Sequence, residues 1–304
     1  MTAARREGGR RLGGAARQSL PGKPLVSVVT VVYNGARHLE QAILSVLNQG
    51  YDNIEYLVVD GGSSDGTMAI VERYGDRIDY FVSEPDRGIY DAMNKGIALA
   101  CGDLVALLNA DDYYEPGAVE AVVEQFLADP AAEILYGHKY VVQEGLSLRY
   151  PSRASLDYWR GMCFSHQAMF VARDAYSRFG PYDTTLRIAA DYDFVVRTAT
   201  GGARFRAVDA FLVNYRDSGL SAQNQIASML EGRRVLRRYV SFFSYRHFVS
   251  LTLLAKSLIL AAMIRLIGMV CGEKAVAAAS AWYLKTFFAR DKASPREPGP
   301  RTQA

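Results

Sequence analysis

Two adjacent carboxylates, Asp111 and Asp112, follow directly after an apolar run in the sequence LVALLNADD. The run from Leu104 to Leu108 is continuous rather than alternating, which is typical of a strand buried on both faces of a parallel sheet. In open α/β sheets, ligands bind beyond the carboxyl ends of the strands, so these aspartates are placed to hold a cation and a phosphorylated ligand. The alternative is an acidic turn that caps the next helix, with Pro116 in its first turn.

A third acid, Asp60, ends the apolar segment from Ile54 to Val59 and is followed by Gly61-Gly62-Ser63-Ser64. Small residues let a ligand approach the backbone and a helix start favours anions, so this pattern is typical of nucleotide binding. A tight Gly/Ser turn is the alternative. Neither G-x-G-x-x-G nor G-x-x-x-x-G-K-[ST] occurs here, which argues against a dinucleotide dehydrogenase and against a P-loop enzyme.

The second half of the chain, from about Gly145, contains three further candidates: His166, Asp191 and Asp193. Both aspartates lie at the start of a helical pattern that runs from Phe194 to Ala199, where a carboxylate can cap the helix. A carboxylate at a helix start that faces the strand ends of the first half can equally serve as a general base. His166 is more often a packed, hydrogen-bonded histidine than a catalytic one.

The elements that must position these residues alternate between strand and helix. This alternation implies parallel pairing, right-handed crossovers and a Rossmann-like half. The third strand delivers Glu84-Pro85-Asp86, and the helix after it carries Tyr90, Asp91, Asn94 and Lys95. We predict strands at 26–33, 54–59, 78–82, 104–108, 134–142 and 205–215, with helices at 37–48, 88–100 and 117–127.

Composition places the chain among globular proteins. Its 304 residues are half hydrophobic, with a net charge of +3, which allows one large α/β domain with appendages or two small domains. The cysteines Cys101, Cys163 and Cys271 share no short spacing, so the sequence suggests neither a zinc site nor a disulfide framework and fits a reduced cytoplasm. Residues 1–23 contain five arginines but no apolar stretch of a signal peptide, and we predict a disordered basic tail there.

The C-terminal third is helical in pattern and increasingly apolar. Residues 251–272 are long enough to raise the question of a membrane span, but Lys256 and Arg265 oppose insertion. We favour an interfacial or re-entrant hairpin with residues 276–288, ahead of a soluble helical pair and of a true span. An arginine cluster at 233–238 precedes it and favours an anionic surface. The predicted organisation is therefore a membrane-associating helical extension at 221–290 and a disordered tail at 291–304.

Several ordered motifs between about Pro24 and Gly219 resemble the family 2 glycosyltransferases, which have the GT-A fold. They are VSVVTVVYNGARHLEQAILSVLNQ, VVDGGSSDGT, EPDRGIYDAMNKGIALACGDLVALLNADD and HQAMF followed by GPYDTTLRIAADYDF. The strongest similarity is to bacterial members that build exopolysaccharide, lipopolysaccharide or glycolipid. The resemblance implies an α/β GT-A domain at 24–220, with a nucleotide-binding half at about 24–144 and an acceptor half at about 145–220.

The resemblance also implies roles for individual residues. Asp111 takes the metal-binding last position of the family's D-x-D motif, with Asp112 beside it, while Asn109 replaces the first Asp and so removes a charge. Asp191 matches the catalytic base, which in many members follows a Glu, here Ala190. His166 and Asp193 are acceptor-site candidates. The residues expected to bind the nucleotide-sugar donor are Val32, Tyr33, Asn34, Asp60, Asp86, Asn94, Lys95, Asn109, Ala110 and Asp111.

The resemblance implies an inverting, Mg²⁺- or Mn²⁺-dependent transfer of a sugar from a nucleotide-diphosphate sugar. One sugar per encounter is expected, because the Q-x-x-R-W motif of processive synthases is absent. The expected partners are this donor, a glycan or lipid-linked acceptor and the inner face of the cell membrane, on which the protein is peripheral or monotopic. We expect no nucleic-acid partner, and the sequence is compatible with a homo-oligomer. The alternatives are a sugar nucleotidyltransferase and a non-catalytic glycosyltransferase-like partner protein.

Overall fold

The computed structural model describes residues 5–217 and 225–241, together with the single positions Thr252, Ala255 and Ile259. The chain divides into two compact units, residues 1–253 and 254–304. All the strands and helices named below belong to the first unit. In the second unit, Ala255 and Ile259 are described; both are helical, and the Ile259 side chain is exposed.

A mixed sheet forms the centre of the first unit. Its order is β1-β4-β3-β2-β5-β9-β7-β10-β6, and β8 pairs with β7. The strands β2 to β5 are parallel to one another, and so are β7 and β10. The strands are β1 Arg6–Gly8, β2 Val26–Val32, β3 Ile54–Asp60, β4 Tyr80–Ser83, β5 Leu104–Asn109, β6 Tyr113–Tyr114, β7 Ile134–Gln143, β8 Leu148–Ser152, β9 Met169–Ala172 and β10 Phe205–Arg216.

Helices cover both faces of this sheet. Each residue of β2 and β3 is buried, and alternate side chains serve opposite faces: Val28 packs towards α1, α2 and α4, whereas Val29 packs towards α3, α5, α6 and α7. Continuous apolar runs in the sequence are therefore the mark of a doubly covered sheet. The helices are α1 Leu39–Leu47, α2 Thr67–Arg73, α3 Ile89–Leu99, α4 Ala118–Ala128, α5 Arg173–Phe179, α6 Ala190–Thr200 and α7 Gln225–Tyr239.

The predicted α/β class and Rossmann-like half are confirmed, and the second half adds antiparallel pairs. Strand β9 runs antiparallel to both β5 and β7 and joins the two parallel groups. A short 3-10 helix, His166–Ala168, immediately precedes β9 and packs against β5, β7 and β10. This insertion brings His166, from the second half, to the strand ends of the first.

The prediction of a disordered N-terminal tail is not what the structure shows for residues 5–23. Strand β1 adds to the sheet by pairing with β4, and a 3-10 helix, Arg10–Gly13, follows it. Gly8 makes this possible because a Cβ there would lie 2.3 Å from the Phe81 ring. Arg10 and Arg17 bind the buried Asp79 at 2.6 and 3.2 Å. The arginines are thus partners of carboxylates on the sheet and not a free basic tail.

The C-terminal extension is described only in its first part. Helix α7 packs against α6, and its Val235 and Leu236 are buried. No helix within the described residues is long and apolar enough to cross a membrane. The predicted hairpin at 251–288 and the tail at 291–304 lie outside the described residues, apart from the three single positions named above.

Candidate active site

The carboxyl ends of the parallel strands meet at one edge of the sheet. Val32 lies opposite Asp60, Asp60 lies opposite Ser83, and Val31 lies opposite Asn109. The loops that leave these strands therefore surround one crevice, as expected for an open α/β sheet.

Asp60 shapes the loop that follows it. Its carboxylate accepts hydrogen bonds from the N–H groups of Gly62 and Ser63 at 3.1 and 3.0 Å and from the Ser83 hydroxyl at 2.6 Å. The Ser63 hydroxyl donates to its other oxygen. With a side chain that is buried and fully engaged, Asp60 holds the Gly/Ser loop in place.

Asn34 joins this loop to the end of β2. Its side-chain oxygen accepts from Ser64 N–H at 2.9 Å, and its own N–H donates to the Ser63 hydroxyl at 2.7 Å. Its backbone is left-handed, with φ 50°, a conformation that asparagine tolerates better than most residues. Asn34 therefore fixes the two loops against each other.

The side chains of Tyr33 and Asp86 both approach Gly61. A Cβ at this position would lie 2.3 Å from Asp86 Oδ2 and 3.4 Å from the Tyr33 ring, so the approach requires glycine. The Tyr33 ring is 66% exposed, so one face is free to stack on a planar ligand. Burial raises the pKa of the Asp86 carboxyl above its usual range. Together Tyr33 and Asp86 offer an aromatic face and a hydrogen-bonding carboxyl, which suits a nucleobase.

Asp111 and Asp112 differ sharply although they are neighbours. Asp112 is buried, and its oxygens accept from the Arg216 N–H at 2.8 Å and from the Gln167 side-chain amide at 2.6 Å. Burial, and then the charge of Asp111, raise the pKa of the Asp112 carboxyl well above its usual range. Within the described chain, no donor hydrogen-bonds to the Asp111 carboxylate. The expectation that both bind metal is therefore revised: the Asp111 carboxylate is partly exposed and has no donor among the described residues, whereas Asp112 is buried between two donors.

A chain of close polar contacts connects the end of β5 to the start of α6. His166 Nδ1 lies 3.0 Å from Asp191 Oδ2, and His166 Nε2 lies 3.4 Å from Asn109 Oδ1. The other oxygen of Asp191 accepts from Tyr192 N–H at 2.8 Å and from the Tyr90 hydroxyl at 3.2 Å. The predicted base thus faces the same crevice as the predicted metal-binding segment.

Asp111 fits a divalent cation that is shared with a ligand. The described residues contain no group of three or more histidine, cysteine or acidic side chains that could hold a metal alone. Magnesium-type sites commonly use one or two carboxylates together with the phosphates of the substrate and water. One open carboxylate at the shared edge of the strand ends meets this requirement.

The sequence profile of the family described as "Glycosyl transferase family 2" matches residues 27–202. The chain belongs to this family. An uncharacterized glycosyltransferase of Mycobacterium tuberculosis is 37% identical over 181 residues, which cover 58% of this chain and 69% of that protein. A PGL/p-HBAD biosynthesis glycosyltransferase of Mycobacterium bovis is 30% identical over 205 residues, with coverage of 64% and 78%.

Two solved structures share the GT-A fold with this glycosyltransferase. The mannosyltransferase PcManGT from Pyrobaculum calidifontis, in complex with GDP-Man and Mn²⁺, has a TM-score of 0.59 at 21% identity and covers 91% of this chain and 86% of its own. TarS residues 1–349 from S. aureus, in complex with UDP-GlcNAc, has a TM-score of 0.58 at 17% identity, with coverage of 77% and 71%. At these identities the likeness establishes the fold.

Three residues predicted for the glycosyltransferase's site are engaged elsewhere. The Asn94 amide makes two 2.9 Å bonds to the backbone of Tyr182. Lys95 binds the Pro85 carbonyl and Glu84, each at 3.0 Å. Asp193 is buried and bonds Arg197, Arg238 and Tyr239 at 3.3, 3.2 and 3.0 Å. Asn94 and Lys95 support the loops around the crevice, whereas Asp193 ties α6 to α7, so its expected acceptor role is not supported.

Arg216 is a site residue that the sequence did not reveal. Its guanidinium bonds Glu144 at 2.6 Å and Gln41 at 2.5 Å and donates to the Asp111 carbonyl. Its buried side chain thereby fixes the backbone of Asp111. An arginine directly after the strand predicted at 205–215 is the signal that could have drawn attention to it.

Proposed function

We propose that this glycosyltransferase moves one sugar from a nucleotide-diphosphate sugar to an acceptor hydroxyl with inversion at the anomeric carbon. The proposal is supported by the contacts Asp191–His166–Asn109, with distances of 3.0 and 3.4 Å, which connect a partly buried carboxylate to the segment proposed to bind the metal. A base and a leaving-group site in one crevice are what a single displacement requires.

The donor nucleotide is assigned to the crevice at the ends of β2, β3 and β5. Its base is proposed to stack on the exposed Tyr33 ring and to hydrogen-bond to Asp86. Its diphosphate then extends towards Ala110 and Asp111. Related folds bind UDP-GlcNAc, UDP and GDP-Man, which supports the donor class without naming the sugar or the base.

The carboxylate of Asp111 would hold the divalent cation, and Arg216 keeps the backbone of Asp111 in place. A bound Mg²⁺ or Mn²⁺ supplies Lewis-acid neutralisation of the charge that develops on the departing diphosphate. Asn109 is neutral, so the protein provides one formal charge at this position and the substrate phosphates provide the rest.

Asp191 is the proposed general base. The His166 ring and the Tyr192 N–H orient its carboxylate, and Oδ2 has a lone pair left for the acceptor's proton. As the acceptor oxygen bonds to the anomeric carbon, the bond from that carbon to the diphosphate oxygen breaks. The hydroxyl proton passes to Asp191, and the electron pair leaves with the nucleoside diphosphate. Attack opposite to the leaving group inverts the anomeric centre.

The proposed acceptor is a lipid-linked glycan or glycolipid, met at the cytoplasmic face of the membrane. The relative named for PGL/p-HBAD biosynthesis supports this class. Of the arginine cluster, Arg234 and Arg237 are exposed, and Arg238 is exposed but pairs with Asp183 at 2.8 Å. Flotation of the full chain with anionic liposomes at low salt tests the location: we expect the protein to rise with the vesicles, and protein that stays at the bottom contradicts a peripheral location.

Nucleotide release tests the activity. The purified protein is incubated with Mn²⁺, a bacterial glycolipid extract and, separately, UDP-glucose, UDP-galactose, UDP-GlcNAc and GDP-mannose. We expect release of UDP or GDP from one of them, with label transferred to the lipid fraction and no turnover in excess EDTA. Release of inorganic pyrophosphate from a sugar phosphate and a nucleoside triphosphate would instead show a nucleotidyltransferase. Failure of every donor to bind would indicate a non-catalytic protein.

A further inference from the structure

A carboxylate on α7, 42 to 44 positions further along the chain, holds the backbone just before the proposed base. Glu231 on α7 accepts hydrogen bonds from three consecutive N–H groups: Arg187 at 3.1 Å, Ile188 at 2.7 Å and Ala189 at 2.8 Å. These groups lead directly into α6, whose second residue is Asp191. The residue that caps α6, Ala189, has no side chain that could accept such bonds. Glu231 supplies the missing acceptor.

The same segment is held from the opposite side by the donor half. The Tyr90 hydroxyl on α3 donates to the Ile188 carbonyl at 2.6 Å and also lies 3.2 Å from Asp191 Oδ1. Ile188 is therefore fixed at its N–H by α7 and at its C=O by α3. If Glu231 released the segment, the Tyr90 contact to Ile188, and with it the contact to Asp191, would shift.

We infer that Glu231 is a positioning residue for Asp191, so that α7 is a working part of the active site. The inference rests on the proposed role of Asp191 as base. Helix α7 begins at Gln225, beyond residues 27–202 where the family profile matches. A chain cut after Asp217 would accordingly keep Arg216 and the strand ends that are assigned to the nucleotide and lose the support of the base.

The alternative is that Glu231 only caps α6 and stabilises the fold. Helix α7 contains a residue that serves as a matched control for this alternative. Tyr239 on the same helix donates to Asp193 on α6 at 3.0 Å. The Tyr239→Phe variant removes one hydrogen bond between α6 and α7 without touching residues 187–189. Both Tyr239→Phe and Glu231→Gln weaken the contact between these helices, but only the second acts on the backbone that carries Asp191.

The test compares Glu231→Gln, Tyr239→Phe, Asp191→Asn and the double variant Glu231→Gln/Asp191→Asn in the full chain. A displacement of about 1 Å can cost on the order of 10²-fold in rate, and glutamine keeps one acceptor oxygen, so we expect kcat to fall about tenfold in Glu231→Gln and less than about twofold in Tyr239→Phe. The dissociation constants of UDP and GDP with Mn²⁺ should stay within about twofold, because the donor crevice is untouched. Amide hydrogen exchange at Ile188 and Ala189 should accelerate in Glu231→Gln alone.

The double variant separates positioning from general stability. If Glu231 acts through Asp191, adding Glu231→Gln to Asp191→Asn lowers kcat no further, since coupled residues are not additive. A further tenfold loss, or a normal kcat in Glu231→Gln despite faster exchange at Ile188, would overturn the inference. Near-normal turnover in Asp191→Asn is a different result: it would reject the base assignment itself.

Discussion

Acidic side chains lie at both edges of the central sheet, but they have different surroundings there. At the amino edge, Asp79 accepts from Tyr56 N–H, Arg10 and Arg17, and Glu55 accepts from Ser27, Cys101 N–H and Arg11. At the carboxyl edge, Asp111 has no donor among the described residues, and Asp191 keeps a lone pair on Oδ2.

The difference indicates which carboxylates can do chemistry. A buried carboxylate whose oxygens are all engaged contributes to stability, because removing it leaves its donors unsatisfied. A carboxylate that stays partly exposed at the crevice, as those of Asp111 and Asp191 do, can bind a cation or accept a proton. By this criterion Asp60, Asp112 and Asp193 belong with Asp79, even though they lie near the active site. Substitutions in the two groups should therefore differ in whether they lower turnover or stability.

The strongest effect is expected at the proposed base. Asp191→Asn should lower kcat by about 10²- to 10⁴-fold, the range that general bases contribute. Because the amide oxygen can still accept from Tyr192 N–H and Tyr90, the midpoint of thermal unfolding should change little. Single-turnover rates and scanning calorimetry measure the two quantities. A large loss of stability with near-normal turnover would show that Asp191 stabilises the fold and is not the base.

At the amino edge, Asp79→Ala should show the reverse pattern. It leaves the buried Tyr56 N–H without its 2.9 Å partner and frees two arginines that are about one-third exposed. Loss of a buried acceptor costs roughly 1 to 3 kcal/mol, and the exposed ion pairs add little, so we expect about 2 kcal/mol. Urea unfolding measures this. A fall in kcat of the folded enzyme without loss of stability would contradict the division.

Asn109→Asp tests whether the carboxyl edge lacks a charge. A second carboxylate beside Asp111 should strengthen divalent-cation binding, and we expect the Mn²⁺ concentration for half-maximal activity to fall about tenfold, equivalent to about 1.4 kcal/mol. Asn109→Ala is the matched control, since it removes the contact to His166 without adding charge. An unchanged Mn²⁺ requirement in Asn109→Asp would mean that residue 109 does not face the cation.

The smallest effect is expected in the pH dependence of nucleotide affinity, through Asp86. The pKa of Asp86 is raised by burial, so its carboxyl gains a proton at a higher pH than an ordinary aspartate does. The ionised form accepts a nucleobase N–H more strongly, so UDP affinity should weaken as the pH falls into the acidic range, and the loss should begin at a higher pH than for an ordinary aspartate. Calorimetric titration measures it, with Asp86→Asn expected to flatten the dependence. A stronger affinity at pH 5 would exclude this role.

Much of this fold was predictable because its signals are local. The continuous apolar runs that became β2, β3 and β5 predicted strands buried on both faces, and the polar residues after them predicted the crevice. The N-terminal segment escaped prediction since Arg6–Gly8 has no apolar alternation, and its order depends on Phe81 and Asp79, more than 60 positions away. The membrane-associating extension stays a prediction.

The sequence predicted many of the residues that lie at the site, but not which role each of them has. Nothing local distinguishes Asp111 from Asp112 in the sequence. Their difference comes from Gln167 and Arg216, which are 55 and 104 positions from Asp112 and reach it only through the fold. Asp191 and Asp193 are separated in the same way, by His166 on one side and by Arg238 and Tyr239 on the other.

The adjacent pair Asp111 and Asp112 gives the most direct test of the account. For Asp111→Ala and Asp112→Ala, calorimetry measures the binding of UDP and GDP with and without Mn²⁺, and urea unfolding measures stability. We predict that Asp111→Ala loses the effect of Mn²⁺ on nucleotide affinity at unchanged stability. Asp112→Ala should keep that effect but lose roughly 2 to 4 kcal/mol, because a backbone N–H and the Gln167 amide are left without an acceptor. Full Mn²⁺ dependence in Asp111→Ala, or its loss in a stable Asp112→Ala, would contradict the account.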